Sequence, residues 1–131
     1  MKDPFKKLLS HCKISGRRRL VYHGGVQPKL LITATDLMEI WKTQEGKCFW
    51  FGVPLDLGLL FRTHPDWFPV HPLAPSVDRK DDNGDYTVEN IVICCRFANL
   101  GRCVYPFEKT RVLVETLKGN SQKTNLDHFL Q

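Results

Sequence analysis

Two oxygen-bearing side chains in the second half of the chain could hold a metal ion. Asp78 lies in a strand-like run, and Asn99 lies in a helix-like run 21 positions later, after a second strand-like run. A strand–strand–helix unit brings the first strand and the helix side by side, so the two side chains should meet. Oxygen ligands with several open positions suit Mg²⁺ or Mn²⁺, which keeps water ligands and accepts phosphate oxygens. The sequence predicts such a site, where the ion would screen charge on a phosphate.

The elements that position these residues can be read from turn and strand signals. Residues 76–80 predict one strand, and the β-branched run 90–94 predicts a returning strand. Between them lies Asp-Asp-Asn-Gly-Asp, a dense turn signal in which Gly84 is expected to supply a positive φ. A helix is predicted from about residue 95 to residue 103. The expected fold class is α+β, with a β-hairpin plus helix at its core.

Flanking elements follow from apolar spacing and capping residues. Helix-like spacing occurs in three further segments, which are residues 5–12, 34–44 and 106–118. The first should end before Gly16, and the second begins at a capping-box-like pair, Thr33 and Asp36. Residues 48–51 predict a short strand, and the proline-rich stretch 56–75 predicts a loop.

Length and composition predict one soluble domain. The chain has 131 residues, of which 42% are hydrophobic and 25% charged, and no apolar run approaches the roughly 20 residues of a membrane-spanning helix. Its five cysteines are an odd number and two are adjacent, so a full set of disulfides cannot form and reduced thiols are expected. We expect a cytoplasmic, intracellular protein whose single domain, 1–131, comprises a basic N-terminal arm (1–35), a core (36–118) and a polar tail (119–131).

Positive charge is concentrated at the N-terminus. Residues 1–35 hold eight basic residues and one acidic residue, a net charge of +7, whereas the whole chain carries +5. Such a footprint is typical of a protein that binds nucleic acid, although a solvated basic arm without a partner would look the same. The expected DNA contacts are Arg17, Arg18, Arg19, Arg96 and Arg102. Contacts to phosphates would give salt-dependent affinity with little sequence preference.

Two stretches resemble a known family. Residues 33–55, TATDLMEIWKTQEGKCFWFGVPL, are similar to the segment that precedes the core of many phage and bacterial HNH endonucleases. Residues 76–102, SVDRKDDNGDYTVENIVICCRFANLGR, resemble the core itself, in which Ser-x-Asp-Arg-x-Asp, Gly-x-Tyr-Thr-x-x-Asn and a final Asn recur. The resemblance implies a ββα-metal fold and hydrolysis of DNA phosphodiester bonds with one divalent cation.

The resemblance also assigns roles to residues. Asp78 and Asn99 match the family's metal ligands, and Asn90 matches the asparagine that ties the hairpin together and orients the catalytic strand. Arg79 stands where most relatives have the histidine that activates water. Arginine stays protonated at neutral pH and cannot act as a base, so Arg79 would grip the scissile phosphate.

Another group must then accept the proton from water. The candidates are His71, whose ordinary pKa is suitable, then Asp81, and then a metal-bound hydroxide that needs no protein base. A structural zinc is not expected, because no Cys-x-x-Cys pair occurs in the sequence. The missing histidine leaves open a rival interpretation, a DNA-binding module of the same fold without turnover. A third class is a protein-interaction domain that uses the proline-rich loop.

Overall fold

The structure is a computed structural model that describes residues 2–23, 26–63, 71–103 and 105–119, and for residues 18–23 it describes the backbone only. The described part is mixed α+β, as predicted. It contains helices α1 (Pro4–His23), α2 (Ala34–Thr43), α3 (Arg96–Arg102) and α4 (Phe107–Leu117), strands β1 (Pro75–Arg79) and β2 (Ile91–Cys95), and short 3₁₀ helices at Leu57–Leu60 and Val88–Asn90. Residues 120–131 of the expected polar tail lie outside the described ranges. None of the helices in these ranges has the length and apolar character needed to cross a membrane.

The two strands form an antiparallel hairpin in which Asp78 faces Val92 and Arg79 faces Ile91. All residues of β2 are buried, whereas β1 alternates between buried and half-buried residues from Ser76 to Arg79. Helix α3 follows β2 without a loop, because the Cys95 side chain accepts a hydrogen bond from the Ala98 backbone N–H and caps the helix. The predicted hairpin with a helix directly behind it is confirmed.

Helix α1 is longer than its sequence pattern predicts. It continues through Gly16 to His23, so Arg17, Arg18 and Arg19 belong to a helix and not to a loop. A glycine inside a helix costs only about 1 kcal/mol, and burial of Leu8 and Cys12 in the core anchors the preceding turns. Helix α1, which carries most of the basic N-terminal residues, is therefore not detached from the core, because it packs against α2 and β1.

The segment 48–51 forms a tight turn, and the predicted strand is wrong. The Cys48 N–H donates to the Val53 carbonyl, and the Gly52 N–H donates to the Cys48 carbonyl, each at 2.8 Å. Gly52 has φ 71°, a conformation that favours glycine. The turn buries Trp50, whose side chain packs beneath the hairpin.

The core consists of two clusters beside the hairpin. The first, called here the Leu8 cluster, comprises Leu8, Cys12, Ile32, Leu37, Tyr86, Ile91 and Ile93. The second, called the Trp50 cluster, comprises Cys48, Trp50, Cys94, Cys95, Ala98 and Val114. Leu55 is partly buried against both, so the clusters share an edge.

Candidate metal centre

Asp78 is held by one of its two carboxylate oxygens. Its Oδ2 accepts hydrogen bonds from Arg102 Nη1 at 2.8 Å and from Trp50 Nε1 at 3.2 Å. No described residue donates a hydrogen bond to Oδ1, and every fully buried side-chain oxygen in the described part has a partner, so Oδ1 is not completely enclosed by the protein. Burial raises the pKa of Asp78, and the hydrogen bonds from Arg102 and Trp50 partly offset this rise.

Asn99 is anchored to the same strand by its amide nitrogen. Its Nδ2 donates to Ser76 Oγ at 2.7 Å and to the Val77 carbonyl at 3.2 Å. Ser76 and Asp78 share one face of β1, because side chains alternate along a strand. Anchoring the nitrogen leaves the Asn99 carbonyl oxygen for a ligand. The structure therefore sets this amide against the strand face that carries Asp78.

These two residues offer a hard cation two oxygen ligands. Within the described ranges, no group of three or more His, Cys, Asp and Glu side chains could hold a metal ion. A cation at Asp78 and Asn99 would take its remaining ligands from water and phosphate, which suits Mg²⁺ or Mn²⁺. The Arg102 guanidinium opposes such an ion, because it already compensates the charge of the Asp78 carboxylate.

Arg102 has a different task from the one predicted. It is 5% exposed and donates to the carbonyls of Arg79, Lys80 and Tyr105 as well as to Asp78. Its guanidinium carbon lies 5.6 Å from the centre of a Trp50 ring and 5.9 Å from that of Phe107. The prediction that Arg102 contacts DNA is therefore wrong, because its guanidinium is buried and hydrogen-bonded to other groups of the protein.

The prediction that Asn90 ties the hairpin together is confirmed. Its Oδ1 accepts from the Asp81 N–H at 2.9 Å, and its Nδ2 donates to the carbonyls of Asp81 and Asp85 at 3.1 and 2.9 Å. Gly84 lacks the expected positive φ. It makes room instead, since a Cβ there would lie 2.8 Å from the Asn90 amide nitrogen.

Arg79 also differs from its prediction. It is adjacent to Asp78 on β1 and therefore points to the opposite face of the strand. Its Nη1 donates to the carbonyls of Asp82 and Gly84, and its guanidinium carbon lies 5.1 Å from the centre of the Tyr86 ring. A side chain that is 10% exposed and holds the turn in this way is not available to grip a phosphate.

The two candidate bases serve local structure. His71 Nδ1 accepts a hydrogen bond from the Leu73 backbone N–H at 3.1 Å. Asp81 is exposed, and its Oδ1 accepts from the Asn83 N–H at 2.9 Å in the turn. Their roles as bases stay predictions.

The remaining predicted DNA contacts lie on helices. Arg17 is exposed on α1, and the side chains of Arg18 and Arg19 lie outside the described part. Arg96 is half-buried at the start of α3.

Sequence reasoning missed two residues of this site, Trp50 and Ser76. Ser76 could have been found from the two-residue period of a strand, which puts it beside Asp78. Trp50 carries no comparable signal. It reaches Asp78 from the turn at residues 48–51, and the aromatic residues of that turn give it the sequence pattern of a strand.

Four of the five cysteines are buried, whereas Cys103 is exposed. Cys48 Sγ accepts a hydrogen bond from the Cys95 backbone N–H at 3.3 Å, and the side-chain hydrogen bond with Cys95 lowers the pKa of Cys48. The described cysteines form no disulfide with one another.

Comparison of the chain with protein-family models, with curated proteins and with solved structures found no match.

Proposed function

We propose that this chain is a metal-dependent DNA endonuclease that hydrolyses phosphodiester bonds by a one-metal mechanism of the HNH type. In this proposal β1, β2 and α3 form a ββα-metal core, with Asp78 and Asn99 as ligands of Mg²⁺ or Mn²⁺. One observation carries the proposal. Each of these side chains is anchored by one polar atom and keeps one oxygen without a hydrogen bond from the described residues.

The surrounding residues orient both ligands before a cation arrives. Arg102 and Trp50 fix the Asp78 carboxylate, and Ser76 fixes the Asn99 amide. Partners of this kind raise the affinity of a site because the ligands lose little freedom on binding. When bound, the cation would stabilise charge on the scissile phosphate and on the leaving oxygen. Asn90 contributes by fixing the turn that joins the two strands.

The proposal is tested with supercoiled plasmid in Mg²⁺ or Mn²⁺. We expect Asp78→Asn to reduce nicking by more than about a hundredfold, because removing a ligand costs more than removing its supporting partner. Glu89→Gln is the matched control, since Glu89 is an exposed carboxylate in the same hairpin with no interaction among the described residues. Nicking that persists in Asp78→Asn, or that does not need the metal, contradicts the proposal.

Because Asp78→Asn removes a buried ion pair, metal binding is measured separately on folded protein. Calorimetric titration with Mn²⁺ should show binding to the parent chain and to Glu89→Gln but not to Asp78→Asn. Circular dichroism of each variant shows whether it is folded at the assay temperature.

Two observations favour a DNA-binding module without turnover as the second candidate. Arg102 neutralises Asp78, and Arg79 is committed to the turn on the opposite face. For such a module we expect plasmid binding without metal-dependent nicking and no heat of Mn²⁺ binding.

A further inference from the structure

A basic cleft lies beside the candidate metal centre. It has a volume of about 420 Å³ and is formed by α1, the 3₁₀ helix Leu57–Leu60 with the residues after it, and the starts of β1 and α3. Its basic lining residues are Lys2, Lys7, His11, Arg62 and Arg96. No Asp or Glu of the described residues lines it. Such a cleft concentrates positive potential and attracts anions.

Two of these cations have no carboxylate partner among the described residues. Arg62 pairs with Asp56 at 2.8 Å, and Lys2 lies over the Phe61 ring. In contrast, no carboxylate of the described residues lies within 4 Å of the cationic group of Lys7 or Arg96. The cleft therefore presents charge that the described part of the protein does not compensate.

His11 lines the same cleft and lies near enough to both cations to feel their charge. Lys7 and His11 are four residues apart on α1 and so share a face of the helix, and Arg96 approaches from α3. Partial burial, together with the charges of Lys7 and Arg96, lowers the pKa of His11. The remaining charged groups of the lining, Lys2 and Arg62, are also positive. An anion bound here would oppose this field and raise the pKa of His11.

The cleft and the candidate metal centre share Ser76. This residue lines the cleft, and its Oγ accepts the hydrogen bond from Asn99 Nδ2. Asp78 lies two residues further along the same face of β1, a distance of about 7 Å. A nucleic-acid strand whose phosphate meets Asp78 and Asn99 can therefore place a neighbouring phosphate in the cleft.

We infer that Lys7, His11 and Arg96 form a binding site for a backbone phosphate of nucleic acid, next to the phosphate that Asp78 and Asn99 would face. The choice of a nucleic-acid phosphate rests on the proposed function, whereas the affinity of the cleft for phosphate does not. Three donors from two elements hold the phosphate oxygens, and protonation of His11 strengthens the site.

The test uses a short single-stranded oligonucleotide in EDTA, so that metal-dependent cleavage plays no part. Lys7→Gln/Arg96→Gln is compared with Lys6→Gln/Lys109→Gln, which makes the same change in net charge at two exposed positions outside the cleft. Fluorescence anisotropy should show binding weakened by about tenfold in the cleft variant relative to the control variant. The slope of log affinity against log salt should fall by about 0.7 for each phosphate that the cleft variant no longer neutralises. Equal binding by the two variants overturns the inference.

NMR titration of the His11 ring supplies a second readout on the folded parent chain. The oligonucleotide should raise the pKa of His11, and it should not do so in Lys7→Gln/Arg96→Gln. A pKa that rises with inorganic phosphate but not with the oligonucleotide identifies a site for free phosphate and overturns the assignment to nucleic acid. Plasmid nicking is measured in parallel. If the cleft variant binds the oligonucleotide more weakly than the control but the parent chain does not nick plasmid, only the nuclease proposal is disproved. If the parent chain nicks plasmid but the cleft variant and the control bind the oligonucleotide equally well, only the phosphate site in the cleft is disproved.

Discussion

The ion pair between Asp78 and Arg102 is buried almost completely, with 7% and 3% of the two side chains exposed. Transfer of two charges from water is costly, so a buried pair adds little net stability over an apolar pair. Removal of one partner is strongly destabilising, because the remaining charge then lies in a poorly solvating environment. The carbonyls of Arg79 and Lys80 and the rings of Trp50 and Phe107 complete the surroundings of Arg102. This pair fixes α3 on the end of β1, where the candidate ligands lie.

We expect Arg102→Met to lower the free energy of unfolding by about 3–5 kcal/mol at neutral pH. The loss should grow as pH rises. Burial already raises the pKa of Asp78, and removal of the guanidinium raises it further. The folded variant then binds more protons than the unfolded chain across the interval between the two pKa values, so its stability falls with increasing pH. Urea unfolding between about pH 5 and pH 8 measures this slope.

Asp78→Asn/Arg102→Met is the control for that slope, because it has no carboxyl group at this position. It should be more stable than Arg102→Met at neutral pH and should lack the additional dependence on pH. Equal slopes in the single and double variants would show that Asp78 does not cause the effect.

Gln44, the residue that caps the end of helix α2, hydrogen-bonds to the hairpin through its side chain. Its Oε1 accepts from the Ile93 N–H at 2.9 Å, and its Nε2 donates to the carbonyls of Ile93 at 2.7 Å and Lys47 at 3.0 Å. Ile93 faces Val77 across the hairpin. The Gln44 amide therefore hydrogen-bonds to the outer edge of β2 as the backbone of a third strand would. It pairs the Ile93 N–H and carbonyl, which at an open strand edge could pair with another chain.

Replacement of Gln44 by methionine keeps the size of the side chain and removes all three hydrogen bonds. We expect Gln44→Met to lower the free energy of unfolding by about 2–4 kcal/mol, at about 1 kcal/mol for each bond. Exchange of the Ile93 amide hydrogen should accelerate, since this N–H loses its acceptor. Lys42→Met is the control, because Lys42 is exposed on the same helix. An unchanged Ile93 exchange rate would contradict the role assigned to Gln44.

The elements that the sequence predicts well are those with local signals. The capping box of Thr33 and Asp36 forms as expected, with hydrogen bonds of 3.2 and 2.8 Å in the two directions. The hairpin also follows from turn residues and strand-like runs, and the resemblance to HNH endonucleases implied its tie at Asn90. The capping box and the hairpin depend on residues that are close in the sequence, so a short sequence pattern is enough to predict them.

The features that the sequence did not predict depend on contacts between distant residues. Cys48–Phe51 has the apolar character of a strand, but its hydrogen bonds close a turn. Arg102 looks like a surface cation until Asp78 and Trp50 enclose it. Gln44 reaches Ile93, and Arg79 faces away from Asp78, for reasons of tertiary packing. Apolar spacing alone carries no information about these partners.

On the scale of the whole molecule, the two core clusters determine whether the described part unfolds as one unit. The Leu8 cluster contains residues of α1 and α2, and the Trp50 cluster contains residues of α3 and α4. Strand β2 contributes Ile91 and Ile93 to the first and Cys94 and Cys95 to the second. The basic cleft and the candidate metal centre thus depend on elements from both clusters, and their geometry requires that the clusters stay together.

We expect unfolding in a single transition, because β2 belongs to both clusters and Leu55 packs against both. Leu55→Ala should lower the free energy of unfolding by about 2 kcal/mol, near the lower end for such a substitution because Leu55 is only partly buried. NMR signals of the Leu8 and Val114 methyl groups, followed in urea, report on one cluster each and should share one midpoint. The exposed Val53 supplies the control Val53→Ala, which should change stability by less than about 0.5 kcal/mol. Separate midpoints for the two methyl groups would show instead that the clusters unfold independently.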